Sequence, residues 1–205
     1  MDLTKRLESH WLAVSAAATA TGAFGVVESA QGALVFHWPA GVSIPANIDG
    51  VYLNLVTGAT GSNAASVSGW DINPFLFSGQ GTIFTNTGSG IVSSSPTGGV
   101  YDLPLASFVG PASVYDTGIV SATPASLLDP LTIGFRFVNE FAGNQTQYGW
   151  MRLRLPQPEA PGEIYYWAYD DSGAEVAAGF VPTPGAFSML TLGAAGLAGR
   201  RSRRG

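Results

Sequence analysis

Between residues 34 and 180 no run sustains a 3.6-residue hydrophobic period, so amphipathic helices cannot build this stretch. Short alternation takes its place, cut at close intervals by turn residues. In residues 50–57, Val51, Leu53 and Leu55 share one face and Tyr52 and Asn54 the other. In 131–140 the split is Leu131, Ile133, Phe135 and Phe137 against Thr132, Gly134, Arg136 and Glu140. In 148–155, Met151, Leu153 and Leu155 oppose Trp150, Arg152 and Arg154, and 163–170 is aromatic and β-prone. Further strands are predicted at 33–38, 66–72, 75–77 and 82–85. Thr57-Gly58, Pro96-Thr97-Gly98-Gly99, Gly110-Pro111 and Ala142-Gly143-Asn144 supply turns between them. The chain carries 27 Gly and 13 Pro for this punctuation, and 46% hydrophobic residues, which excludes disorder. The expectation is an all-β fold with an antiparallel, β-sandwich or jelly-roll-like body.

Catalytic chemistry is scarce. With no Cys, disulfides and thiolate metal sites are excluded. His37 is the one histidine within the strand-rich stretch, and a lone strand histidine reads as a structural residue. No cluster suits a catalytic triad or zinc, there is no Gly-x-Ser-x-Gly, and phosphate-loop spacing is absent. Paired carboxylates could still serve glycoside hydrolysis, and the candidates are Asp71, Glu140, Glu163 and Asp170. Asp170-Asp171-Ser172-Gly173 lacks the spacing of a calcium loop and reads as a β-turn. The expectation is a protein that is not an enzyme and needs no cofactor or metal.

Charge divides the chain into three. Residues 34–180 hold three cations (Arg136, Arg152 and Arg154) against eleven acids, a net charge of −8 inside a whole-chain total of −5. Such a body is a poor partner for nucleic acid, which requires clustered Lys and Arg. The remaining cations lie at the ends. Lys5 and Arg6 precede a mostly apolar run over 11–27 and a small-residue exit at Ala30-Gln31-Gly32, which reads as a helical Sec-type signal peptide over 1–32. The alternative is an amphipathic or buried first helix.

The other end has three ordered parts. Val181-Pro182-Thr183-Pro184 is followed by an apolar stretch over 186–199, then by Arg200, Arg201, Arg203 and Arg204. As a helix the apolar stretch would be roughly 21 Å long, short of the roughly 30 Å of bilayer hydrocarbon. It suits a short transmembrane helix that anchors transiently, with arginines held on the cytoplasmic side. The alternative is a C-terminal amphipathic helix packed on the body.

This order of parts resembles the PEP-CTERM sorting signal of bacterial envelope and exopolysaccharide-associated proteins. Val181, Pro182 and Pro184 match its motif, and Thr183 stands where that family usually has Glu. Gly149-Trp150-Met151-Arg152-Leu153, Tyr166-Trp167-Ala168-Tyr169-Asp170 and Gly69-Trp70-Asp71-Ile72-Asn73-Pro74 are similar to blocks of secreted members of the same group. The resemblance implies an exported β-sandwich body over 33–180 and a sorting tail over 181–205. It also implies an exosortase-like membrane processing enzyme as partner, and passage from the membrane to the cell surface or exterior. It transfers no catalytic residue.

Pairing Leu155 with Gly162 across the loop 156–161 predicts a hairpin register. Arg154 would lie opposite Glu163, Arg152 opposite Tyr165, Trp150 opposite Trp167 and Tyr148 opposite Tyr169. Trp150, Arg152, Tyr165, Trp167 and Tyr169 would then form one aromatic–arginine strip. That strip is either a sugar-stacking platform, with polysaccharide as a candidate partner, or a packing surface covered by another layer.

Overall fold

A long antiparallel hairpin dominates the structure: β12 (Gln145–Arg154) and β13 (Gly162–Asp170), flanked by β11 (Leu131–Asn139) and β1 (Leu34–His37). The computed structural model describes residues 32–38, 41–93, 98–122 and 130–179. The signal helix expected over 1–32, apart from Gly32, and the expected sorting tail over 181–205, with the short transmembrane helix expected in it, lie outside the described residues.

A seven-stranded sheet runs β1-β13-β12-β11, then β7 (Gly90–Val92) and β9 (Tyr115–Asp116), with β2 (Val42–Ile44) also on β13. A five-stranded sheet runs β10 (Ile119–Ser121), β6 (Gln80–Thr85), β5 (Ile72–Phe77), β3 (Tyr52–Leu53) and β4 (Thr60–Gly61). A two-stranded ribbon pairs β8 (Phe108–Val109) with β14 (Val176–Ala177). Every strand pair is antiparallel. The described helical elements are two 3₁₀ turns, Ala64–Ser66 and Glu140–Ala142.

The alternation along β11 decides the core. Ile133, Phe135 and Phe137 are fully buried, and with Met151, Leu153, Ile164 and Trp167 they join Leu53, Ile72 and Ile83 of the five-stranded sheet in one apolar cluster. Each such side chain contributes roughly 1.5–3 kcal/mol by leaving water. Gly149 is required inside this cluster, since a Cβ there would lie 2.4 Å from the Ala168 carbonyl and 2.5 Å from the Phe135 ring. A second cluster covers part of the opposite face of the seven-stranded sheet. There Trp150 and Ala168 pack under Leu103, Val109 and Val176.

Several predicted elements change in detail. The strand expected over 50–57 shrinks to β3. The Asn54 side chain accepts the Val56 and Thr57 N–H groups at 3.0 and 2.8 Å, and its backbone carbonyl accepts the Gly58 N–H, so the chain turns there. The strand expected at 66–72 is instead the end of the 3₁₀ turn followed by loop, with only Ile72 in a strand, β5. The segment 75–77 belongs to a longer β5 that runs through Pro74.

The hairpin register holds only near its loop. Arg154 faces Glu163 and Leu153 faces Ile164, but then β13 contains one extra residue. From that bulge onward Arg152 pairs with Tyr166, Met151 with Trp167, Trp150 with Ala168, Gly149 with Tyr169 and Tyr148 with Asp170. The single aromatic strip therefore does not form. Trp167 and Tyr169 enter the inter-sheet core while Trp150 lies in the second cluster on the other face. Burial drives the shift: the bulge moves the Trp167 indole into the core, where its N–H donates to the Leu55 carbonyl at 2.9 Å.

Candidate functional site

The bulge that splits the strip builds a surface groove. A bulged strand sets two residues against one on its partner and re-aims a side chain. Here Tyr165 and Tyr166 both reach the same groove as Arg152, which pairs with Tyr166. Among the described residues the cleft, ≈ 450 Å³, is lined by these three together with Trp38, Pro130 and Glu163. That volume falls within the range of small-ligand sites.

Its aromatic wall is layered. Tyr166 is backed by Trp150, which is buried beneath the wall and does not line the groove; the two rings meet edge-on at 5.8 Å between centroids. Trp38 stacks on Tyr166 at 5.0 Å and 16°, with Phe36 tilted against it at 5.7 Å. Trp38 is 67% exposed, whereas Trp150 and Trp167 are 0% and 1% exposed. The polar wall is also fixed. Arg152 Nη1 donates to Thr132 Oγ1 at 2.9 Å, a contact that holds the guanidinium at the groove. The Glu163 carboxylate lies over Gly41, where φ is +65° and a Cβ would come within 2.6 Å of Oε1. The positive φ favours glycine there, and a Cβ would also displace the Glu163 carboxylate.

Of the five residues expected on the strip, the groove gathers Arg152 and Tyr165. Trp150, Trp167 and Tyr169 are buried away from it. Sequence reasoning missed Trp38 and Tyr166. Tyr166 was placed on the opposite face by a bulge-free register. Trp38 enters because β1 pairs with β13, setting Phe36 opposite Ala168 and His37 opposite Trp167. No local signal marks the bulge, because consecutive aromatics such as Tyr165 and Tyr166 fit a regular strand equally well.

The four candidate acids fall in three places. Glu163 goes to the groove. Asp170 caps the turn after β13: its Oδ1 accepts the Ser172 and Ala174 N–H groups at 2.9 and 3.1 Å, while Asp171 accepts the Ala33 N–H at 2.7 Å. Asp71 and Glu140 come into one cluster around Asn54, whose amide donates to Glu140 Oε1 at 3.3 Å and to the Gly69 carbonyl at 2.6 Å. Asp71 Oδ2 accepts the Leu55 N–H at 2.8 Å. Burial, reinforced by the Glu140 charge, pushes the Asp71 carboxyl up to about 7 against the pull of its hydrogen bonds. His37 lies flat on Trp167, with centroids 4.7 Å apart at 7°, and burial holds its pKa below the ordinary value.

A larger depression of ≈ 750 Å³ opens beside β9 and β10. Among the described residues the one charged side chain lining it, Asp116, already accepts the Gly99 N–H at 3.0 Å, so the depression offers less chemistry than the groove. Among the described residues no three His, Asp or Glu side chains gather as metal ligands, and no helix is long and apolar enough to cross a membrane. No family model, curated protein or solved structure matches this chain.

Proposed function

We propose that this chain is an exported interaction module of the bacterial cell envelope or extracellular matrix. Residues 1–32 direct export as a Sec-type signal peptide. Residues 33–180 form a β-sandwich body, a reading supported by the core that the two larger sheets share. Residues 181–205 are a PEP-CTERM-like sorting tail, held transiently in the membrane and processed by an exosortase-like enzyme before the body reaches the cell surface or exterior.

The observation that carries the interaction reading is the groove. Trp150 and Trp167 are buried in the two clusters, whereas Trp38 is exposed at the groove, beside half-buried Tyr165 and Tyr166 and a fixed Arg152. An exposed aromatic patch rimmed by polar groups marks a contact surface. The role proposed for the groove is binding rather than catalysis: it presents one carboxylate among its described residues where glycoside hydrolysis needs two, and the clustered Asp71 and Glu140 do not line it.

Sorting is tested by replacing Arg200, Arg201, Arg203 and Arg204 with Ser in a bacterial host that has an exosortase-type enzyme. Cell fractionation should show the native chain at the envelope or outside the cell, and the variant lost from that fraction. An unchanged distribution contradicts the anchor reading.

A further inference from the structure

We infer that the groove between Trp38 and Glu163 is a saccharide site that takes a neutral polysaccharide chain, with one pyranose ring lying on the exposed part of Trp38. This inference rests on the interaction-module reading and names its ligand.

Three features of the groove converge on this chemistry. The Trp38 indole is stacked on Tyr166 with Phe36 tilted against it, so the ring is held as a platform, and most of the residue remains exposed. A flat apolar ring with a polar rim complements a pyranose, whose axial C–H bonds form an apolar face and whose hydroxyls lie at the edge. The rim is supplied by planar polar groups of opposite kinds. Arg152 offers only donors and the Glu163 carboxylate only acceptors, a combination suited to hydroxyls, which both donate and accept. Thr132 pre-orients the guanidinium, so less side-chain freedom is lost on binding.

Charge narrows the class. Arg152 and Glu163 offset each other within the groove, and residues 34–180 carry a net −8, so an acidic polymer would be repelled at long range. A neutral chain is favoured. A proline-rich peptide is the competing occupant of an aromatic groove, but such grooves hold the peptide between separated aromatic ridges. Here the rings stack into a single platform, with centroids 5.0 Å apart.

Trp38 also provides the readout. It is far more exposed than Trp150 and Trp167, and comparison with Trp38→Phe separates its solvent-sensitive emission from that of Trp11 and Trp70. The test titrates the full chain with laminarin, hydroxyethyl cellulose and galactomannan, and with a proline-rich peptide for comparison. At least one neutral polysaccharide should shift emission to the blue and protect it from acrylamide quenching. The same polymer should retard the protein in an affinity gel. Trp38→Ala should weaken that retardation about tenfold or more, with Trp38→Phe intermediate and the melting midpoint nearly unchanged because the side chain is exposed. Glu163→Gln, which keeps the shape of the rim, should weaken it by a smaller factor. Retardation by none of the three polysaccharides, undiminished retardation of both Trp38→Ala and Glu163→Gln, or binding of the peptide alone each overturns the inference. The fractionation experiment reads sorting without reference to saccharide, so the two proposals can fail separately.

Discussion

Asp71 is only 4% exposed, and its carboxyl accepts the Leu55 N–H from a loop that also anchors Trp167 through the Leu55 carbonyl. Burial and the Glu140 charge raise its pKa from an ordinary 3.8 to about 7, so the folded chain binds this proton more tightly than the unfolded chain. The stability from this group is complete below about pH 4 and is lost as pH rises toward 7. His37 works in the opposite sense over part of that window, because burial lowers its pKa and favours the neutral ring. Comparing the native chain with Asp71→Asn isolates the aspartate, since His37 is common to both. The variant should gain stability relative to the native chain between pH 4 and pH 8, by on the order of 2–4 kcal/mol at about 1.4 kcal/mol per pKa unit. Urea unfolding across that range measures it. A difference that stays constant with pH would show that Asp71 titrates normally.

At the scale of elements the bulge in β13 is the decisive feature. One extra residue between Leu153–Ile164 and Arg152–Tyr166 allows Trp167 to enter the core while both tyrosines reach the groove. Deleting Tyr165 removes the extra residue but leaves Tyr166 opposite Arg152 and Trp167 opposite Met151. The deletion should therefore fold with Trp167 still buried, at a cost of roughly 1–3 kcal/mol. If pairing ran without a bulge, the same deletion would turn Trp167 and Tyr169 out of the core and unfold the chain. Tryptophan emission and thermal melting distinguish the two results.

The same element shows what the sequence can and cannot reveal. Aromatic, β-prone composition identified β13. Alternation identified β11 and β12, because one set of apolar side chains on each enters the inter-sheet core. It also fixed the hairpin near its loop, where Arg154 meets Glu163. It could not reveal the bulge, since an inserted residue is compatible with any run of β-prone aromatics. Asn54 ended β3 through its side chain, which alternation does not register. For the groove, Arg152 and Tyr165 were legible from the hairpin. Trp38 was not, because only the pairing of β1 with β13, well over a hundred residues apart in the chain, brings it there.

Across the whole molecule, two sheets close over a shared core and a third small layer covers part of the outer face. The end of β1 and the bulged part of β13 remain open. The interaction reading depends on that division between covered and uncovered aromatic surface. Oxidative footprinting of the full chain, read residue by residue, measures it directly. Trp38 should be modified much faster than Trp150 and Trp167, and bound polysaccharide should slow the modification of Trp38 while leaving the other two unchanged. Modification of Trp150 or Trp167 at the rate of Trp38, or a Trp38 already protected in the free chain, would contradict the account.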